Sequence, residues 1–165
     1  MPGKTIVVLG GGVGGLTAAN ALRRRLDTSH RVVLVDKRGE HLFAPSLLWL
    51  MVGQRRPAQL TRDLRGLVQP GVEVVRAAVR EIDPDRGRVR VDSQDLGYDA
   101  LVVGLGADLA PEALPGYQDA AHNFFDLDGA AGLWQALRGF AGGRVVVAVS
   151  ALPYKCPAAP YEAAL

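Results

Sequence analysis

Cysteine is almost absent from the sequence: Cys156 is the single example in 165 residues. One thiol excludes a disulfide within the chain, and chains without disulfides are typical of reducing compartments. No signal peptide precedes the first apolar strand. The longest apolar run near the middle, residues 47–52, is far too short to span a bilayer. We therefore expect a cytoplasmic location.

The sequence also lacks a large excess of either charge, because 19 Lys and Arg residues nearly balance 17 Asp and Glu residues. The formal net charge is +2, and the basic residues are spread along the chain. Nucleic-acid-binding domains carry a basic patch or stripe, so we expect no nucleic-acid partner. The sequence offers no cluster with metal-ligand spacing, no paired carboxylates and no serine nucleophile elbow. We therefore expect no metal site.

Glycine, in contrast, is abundant, and its most informative cluster follows the first predicted strand. The apolar run at 6–9 leads into Gly10, Gly12 and Gly15, which have GxGxxG spacing and open an Ala/Leu-rich helix. Asp36 stands at the end of a second apolar strand. A strand, a glycine loop and a helix, with an acid about 20 residues on, form the fingerprint of a dinucleotide-binding site.

Each residue of the loop has a physical role in this interpretation. Gly10 permits the tight turn, Gly12 lets the main chain approach a pyrophosphate, and Gly15 lets the helix pack on the sheet. Val13 and Gly14 lie in the first helical turn, where free N–H groups and the helix dipole attract phosphates. The alternative is a glycine-rich turn in another α/β fold.

Asp36 is expected to determine whether the bound nucleotide has a free ribose 2′-hydroxyl or a 2′-phosphate. Its carboxylate can accept hydrogen bonds from both hydroxyls of an adenosine ribose, and it would repel a 2′-phosphate. The basic residues Lys37 and Arg38 follow directly, so a nucleotide with a 2′-phosphate stays an alternative.

Apolar runs and turn residues predict an α/β fold. We expect a Rossmann-like, doubly wound domain with a β-meander insertion at 1–110, a connection and helix at 111–143, and the start of a second α/β domain at 144–165. The predicted elements after the first strand–helix–strand unit are a helix from about 58 to before Pro70, strands at 72–82, 88–92, 96–98, 99–104 and 144–150, and helices at 129–140 and from 157–160 onward.

The last predicted strand and helical turn cannot bury their own faces. The sequence is therefore interpreted as the N-terminal part of a larger protein. The alternative is a short protein whose tail packs back on the first domain.

Four segments together resemble a known family. They are residues 10–15 with Asp36, residues 41–47, residues 98–107 and residues 154–162. With these segments the chain resembles the flavoproteins with two dinucleotide-binding domains. Within that group it is most similar to the sulfide:quinone oxidoreductases and to the flavin subunit of flavocytochrome c sulfide dehydrogenase.

The resemblance implies an FAD-dependent oxidoreductase. The glycine loop would bind the ADP half of FAD, and Pro45 would back the flavin ring. A second flavin motif would end in Gly104, Gly106 and Ala107, where Leu105 replaces the family's small polar residue. Cys156 would be the redox cysteine that receives sulfide sulfur as a persulfide, together with a partner cysteine outside this sequence.

Electrons would pass to the flavin and then to a quinone or a cytochrome. Quinone use implies peripheral contact with a membrane, so the inner membrane face is a second expected location. The backbone of Val79 could contact adenine, although ordinary sheet packing explains this residue equally well.

The predicted strand at 144–150 is followed by Ser-Ala-Leu-Pro rather than by a glycine loop. Prolines at 153, 157 and 160 remove backbone donors that a pyrophosphate would need. This favours sulfide oxidation over a type II NADH dehydrogenase or a ferredoxin reductase, which remain alternatives. A non-catalytic nucleotide-binding module is an alternative of another class.

Cys156 directly precedes Pro157, a favoured first-turn residue. Helix N-termini and neighbouring lysines favour the nucleophilic thiolate, whereas most free cysteines are small buried apolar residues. His41 could line the flavin loop and Glu162 could shuttle protons near a flavin or quinone, but we expect both to be ordinary solvated residues.

Overall fold

The computed structural model describes residues 3–165 and divides into two compact units. The first unit comprises Met1–Leu42 and Thr61–Ala107, and the second comprises Phe43–Leu60 and Asp108–Leu165. In chain order the elements are β1 (Thr5–Leu9), α1 (Val13–Arg25), β2 (Arg31–Asp36), β3 (Glu40–Leu42), α2 (Leu47–Met51), α3 (Pro57–Leu60), β4 (Thr61–Asp63), β5 (Val72–Arg76), β6 (Val79–Asp83), β7 (Arg88–Val91), β8 (Gln94–Gly97), β9 (Ala100–Val103), α4 (Tyr117–Ala120), α5 (Leu127–Arg138) and α6 (Ala159–Ala164).

A parallel sheet with strand order β5–β2–β1–β9 forms the centre of the first unit. Strands β1 and β2 pair in register from Thr5 with Arg31 to Leu9 with Val35. Both strands are continuous apolar runs because layers cover both faces of the sheet. Burial of one such Val or Leu side chain stabilises the fold by about 1.5–3 kcal/mol relative to its exposure. The predicted Rossmann-like α/β fold is confirmed.

The two faces of this sheet are covered by different elements. Helix α1 and the turn at Leu64 pack on one face, where Ala19 and Leu64 are fully buried. The antiparallel meander β6–β7–β8 packs on the other face through Val89 and Val91. The predicted β-meander is therefore present, and it forms the third layer of the unit.

The single strand expected at 72–82 is divided in the structure. Strand β5 ends at Arg76 and β6 begins at Val79. The N–H of Ala77 donates to the carbonyl of Asp36, which ends the parallel ladder. Asp92 accepts from the N–H of Ala78 through Oδ2 and donates its own N–H to the carbonyl of Ala78. These contacts turn the chain from the sheet into the meander.

The helix expected from residue 58 is also wrong beyond its first turn. Helix α3 ends at Leu60, and β4 then pairs antiparallel with β3. Asp63 ends this strand, because its Oδ1 accepts from the N–H of Arg65 at 2.7 Å and starts a short 3-10 turn. A side chain that captures a nearby N–H in this way competes with helix formation.

The regular elements of the second unit are helices. Leu47, Leu50 and Met51 of α2 are buried, and α2 packs against α5. Gly53 has φ +77°, and a Cβ at this position would collide with the indole ring of Trp134. In the part of the chain that the structure describes, no helix combines the length and apolarity that a membrane span requires.

The buried strand expected at 144–150 is not formed. This segment has no strand pairing in the structure, and Val145 and Val146 are 63% and 73% exposed. A strand exists only where a neighbouring strand accepts and donates its ladder of hydrogen bonds. Among residues 3–165 no strand pairs with these valines. The apolar pattern therefore predicted a strand whose partner the described chain does not supply.

Candidate functional site

The glycine loop lies between β1 and α1, and two of its glycines are required by packing. Gly10 has φ +95° and donates its N–H to the carbonyl of Val35 at 2.7 Å. A Cβ on Gly10 would collide with the carbonyl of Gly104, and a Cβ on Gly15 would collide with the carbonyl of Gly10. These glycines therefore allow the loop, α1 and the end of β9 to lie in contact.

Gly12 and Gly14 face open space instead. A Cβ at either position would meet no atom within 4 Å, and Gly12 has φ −68°, which any residue can adopt. Neither the fold nor the backbone conformation requires glycine at position 12. Bare main chain facing open space is the surface that a diphosphate needs for close approach. The residues present therefore fit the ADP half of a dinucleotide.

Helix α1 presents an uncapped N-terminus at this loop. The N-cap residue Gly12 makes no side-chain capping bond, and the first turn contains no acidic residue. The first intrahelical bond runs from the N–H of Leu16 to the carbonyl of Gly12 at 2.9 Å. The N–H groups before it have no intrahelical acceptor. Over the 13 residues of α1 these groups and the dipole make an anion-attracting end.

Asp36 holds this loop from the end of β2. Its Oδ2 accepts from the N–H of Gly11 at 2.8 Å. Its Oδ1 accepts from the N–H groups of Arg38 at 2.8 Å and Gly39 at 2.9 Å. A carboxylate offers about four acceptor sites, so one remains for a ribose hydroxyl. The contacts of Asp36 and Lys37 with a ribose stay predictions.

His41 is a residue that could line the flavin loop, but the sequence did not identify its contact with the glycine loop. It was expected to be a solvated loop residue, but it is half-buried in β3, and its Nδ1 lies 2.9 Å from the carbonyl oxygen of Gly11. The contact spans 30 positions and depends on the pairing of β3 with β4. No local sequence signal reports such a contact.

The end of β9 approaches the same loop. Gly104 donates its N–H to the carbonyl of Leu9 at 2.8 Å, and a Cβ on Gly104 would lie 3.1 Å from that carbonyl oxygen. Gly106 has φ +76°, a conformation that favours glycine. Gly104 therefore serves packing, Gly106 serves the backbone turn, and contacts of Gly106 and Ala107 with a flavin stay predictions.

Val79 is the first residue of β6 and pairs with Val91 of β7. Its half-buried side chain packs on the core between the meander and the sheet. Sheet packing thus accounts for its side chain, and a backbone contact with adenine stays a prediction.

Pro45 and Cys156 belong to the second unit. Pro45 lies in a 3-10 turn (Ala44–Ser46) that leads directly into α2. Cys156 is half-buried with a free thiol, and its carbonyl accepts from the N–H of Ala159 at the start of α6. Helices α2 and α6 contact each other. The structure therefore places the elements next to Pro45 and Cys156 together within one unit.

Comparisons with known proteins agree with this geometry. The family model described as pyridine nucleotide-disulphide oxidoreductase matches residues 4–148. The mitochondrial sulfide:quinone oxidoreductase of Mus musculus is 29% identical over 166 residues, which cover 95% of this chain and 36% of the relative. Demethylphylloquinone reductase NdbB of Synechocystis is 34% identical over 142 residues, covering 81% of this chain and 35% of the relative.

Solved structures give the same picture. The sulfide:quinone oxidoreductase of Aquifex aeolicus superposes with a TM-score of 0.72 at 26% identity, covering 82% of this chain and 32% of that one. NDH2 of Plasmodium falciparum superposes with a TM-score of 0.66 at 20% identity, which shows a shared fold. The chain spans about a third of the length of these relatives.

Proposed function

Because this chain belongs to the pyridine nucleotide-disulphide oxidoreductase family, we propose that it binds FAD and acts in a flavin-dependent oxidoreductase of the sulfide:quinone type. The observation that carries the proposal is the bare main chain at Gly12. It faces open space at an uncapped helix start, although the fold does not require glycine there. A bound diphosphate explains this glycine, and packing does not.

Different residues of the chain are proposed to contact different parts of this cofactor. The N–H groups of Gly12, Val13 and Gly14 would donate to the diphosphate, and the remaining acceptor site of Asp36 would take a ribose hydroxyl. Pro45 and Gly106 with Ala107 belong to the segments proposed to meet the flavin ring. When bound, FAD would supply two-electron acceptance.

Cys156 is proposed to take the sulfur of sulfide. Its thiol sulfur would bond to the sulfide sulfur with loss of one S–H proton from each to solvent, and bound FAD would be the two-electron acceptor that balances this oxidation. Residues 150–153 contain no glycine loop for a nicotinamide dinucleotide. Similar proteins are named sulfide:quinone oxidoreductases in Mus musculus, Dictyostelium discoideum and Aquifex aeolicus. These names also support a quinone as acceptor, and use of a quinone would imply peripheral membrane contact.

A flavin-dependent NADH or quinone reductase is the second candidate. The relative at 34% identity is named demethylphylloquinone reductase, and others are named NADH-ubiquinone oxidoreductase in Yarrowia lipolytica and NADH dehydrogenase-like protein in Mycobacterium tuberculosis. These identities are similar to those of the sulfide:quinone relatives. Sequence similarity therefore does not distinguish the two candidates, whereas the reductant that the protein oxidises, sulfide or NADH, does.

The deciding experiment is anaerobic reduction of the reconstituted chain. Purified protein is mixed with FAD, freed of excess cofactor, and followed by visible absorption after addition of sulfide or NADH, with free FAD as a parallel sample. We expect flavin bands that sulfide bleaches faster than it bleaches free FAD, and that NADH leaves unchanged. Cys156→Ser should keep the flavin bands and lose the sulfide response.

The other outcomes identify the alternatives. Bleaching by NADH alone would establish the reductase candidate. A colourless protein that still binds ADP would be a nucleotide-binding module without turnover.

A further inference from the structure

We propose that His41 is a positioning residue for the glycine loop. Its ring holds the Gly11 carbonyl, and the N–H of Gly12 is thereby directed toward the diphosphate. The inference rests on the proposed binding of an adenine dinucleotide to this loop. It adds a side chain that never touches the cofactor but sets the direction of a backbone donor that does.

The first step is the double clamp on Gly11. Its N–H donates to Asp36 Oδ2 at 2.8 Å, and its carbonyl lies 2.9 Å from His41 Nδ1. Two side chains from the two ends of the β2–β3 connection therefore satisfy both polar backbone groups of one residue. Three successive glycines, residues 10–12, have little conformational preference of their own. Their orientation consequently depends on contacts of this kind.

The second step follows from peptide geometry. The peptide bond between Gly11 and Gly12 is trans. In a trans peptide the carbonyl of one residue and the N–H of the next point to opposite sides of the chain. A hydrogen bond that holds the Gly11 carbonyl on the side of His41 therefore turns the Gly12 N–H to the other side. This N–H belongs to the residue whose missing side chain leaves the main chain open.

The third step is the support of His41 itself. His41 pairs with Arg62 in the β3–β4 ladder, so its backbone is fixed. The chain after β4 carries the fully buried Leu64, whose methyl group occupies the place that a Cβ on Gly11 would need. Leu64 also donates its N–H to the carbonyl of Gly39 at 3.0 Å. The hairpin that presents His41 is thus anchored beside the same loop.

The contact has a chemical signature. A carbonyl oxygen only accepts hydrogen bonds, so Nδ1 of His41 must carry the proton. A neutral imidazole in this contact is therefore the Nδ1–H tautomer. Proton-detected ¹⁵N spectra of histidine-labelled protein, recorded at a pH at which the ring is neutral, report the tautomer directly. Nε2–H as the dominant form of His41 would overturn the proposal.

The binding test uses three variants and ADP as the probe. In His41→Asn the amide nitrogen can take the place of Nδ1, in His41→Gln it reaches the position of Nε2, and His41→Ala has no donor. By isothermal titration we expect Asn to bind ADP within about threefold of wild type, and Ala and Gln to bind about 5–10-fold more weakly, the loss of one hydrogen bond. Chemical denaturation of each variant reports its fold separately.

The outcomes separate the two proposals. Wild-type binding of ADP together with equal binding by His41→Ala would overturn the positioning role and leave the proposed function standing. A wild-type chain that binds neither ADP nor FAD would overturn both. If His41→Ala fails to fold, the difference in ADP affinity between His41→Asn and His41→Gln, together with the His41 tautomer in the wild type, still tests the positioning role.

Discussion

At the scale of single residues, the glycines around the loop fall into two groups. Gly10 and Gly15 lie where backbone atoms leave no room for a Cβ, and Gly104 lies where a Cβ would be in tight contact with the Leu9 carbonyl. Gly12 and Gly14 lie where a Cβ would meet no atom within 4 Å. The first group therefore explains the fold, and the second fits the proposed approach of a diphosphate to the main chain. One motif combines a structural constraint with a binding constraint, and substitutions can separate them.

Gly15→Ala is expected to destabilise the protein by about 2–3 kcal/mol, because its Cβ would collide with the Gly10 carbonyl. Gly132→Ala is the matched control in α5, where a Cβ meets nothing within 4 Å. This control should gain about 0.5–1 kcal/mol, since alanine favours a helix over glycine. The free energy of unfolding from urea denaturation checks both values. Equal effects of the two substitutions would contradict the packing role of Gly15.

The sequence predicted the positions of Gly10, Gly12, Gly15 and Asp36 because spacing along a strand–loop–helix unit is local information. It did not predict that Asp36 accepts from three backbone N–H groups or that His41 meets Gly11. Those contacts depend on where the β2–β3 turn and the β3–β4 hairpin bring the chain, which no spacing rule encodes.

At the scale of elements, continuous apolar runs predicted β1, β2 and β9 correctly because such strands are buried on both faces. The same signal failed at 144–150, where the valines are exposed and unpaired in the described chain. It also missed the break at Ala77 and Ala78, since hydrogen bonds to Asp36 and Asp92, rather than hydrophobicity, end β5. Pairing partners, not local composition, decided each case.

The segment after Pro45 depends on Arg55. Its Nη1 donates to the fully buried hydroxyl of Ser46 at 2.9 Å, and its guanidinium lies 4.7 Å from the Trp49 ring centre. Arg55→Ala should cost about 1–3 kcal/mol, because the Ser46 hydroxyl loses this donor. Arg55→Lys, which keeps the charge, should lose less.

A double-mutant cycle with Ser46→Ala tests the same contact, with a coupling energy of about 1 kcal/mol expected from denaturation curves. Additive effects of Arg55→Ala and Ser46→Ala would show that the two side chains do not stabilise each other.

The turn between β6 and β7 should make stability depend on acid pH. The N–H of Arg86, together with the guanidinium groups of Arg86 and Arg88, holds the pKa of Asp83 below its ordinary value of 3.8. A lowered pKa stabilises the fold above that value, and the contribution is lost as the pH falls through the folded-state pKa. Asp83→Asn should therefore lower the melting temperature at pH 7 and change it little at pH 2. A loss of equal size at both pH values would assign the effect to something other than the carboxylate charge.

At the scale of the whole molecule, the residues proposed for nucleotide binding and those proposed for sulfide chemistry belong to different units. The first unit carries the glycine loop, Asp36 and His41, and the second carries Pro45 and Cys156. Nucleotide binding is therefore a property that the first unit's geometry supports in detail. The proposal of sulfide oxidation rests on Cys156 and on the names of the relatives. The reconstitution experiment with sulfide and NADH addresses the second claim, and a binding measurement addresses the first.

The most direct measurement is the affinity for ADP of the wild type, Gly12→Ala and Gly132→Ala, determined by isothermal titration and accompanied by denaturation curves. A methyl group at position 12 meets no atom of the first unit, so the fold should stay within about 1 kcal/mol of wild type. The same methyl group should weaken ADP binding at least tenfold, about 1.4 kcal/mol, while Gly132→Ala binds as wild type does. Gly12→Ala that binds ADP as tightly as wild type would contradict the account.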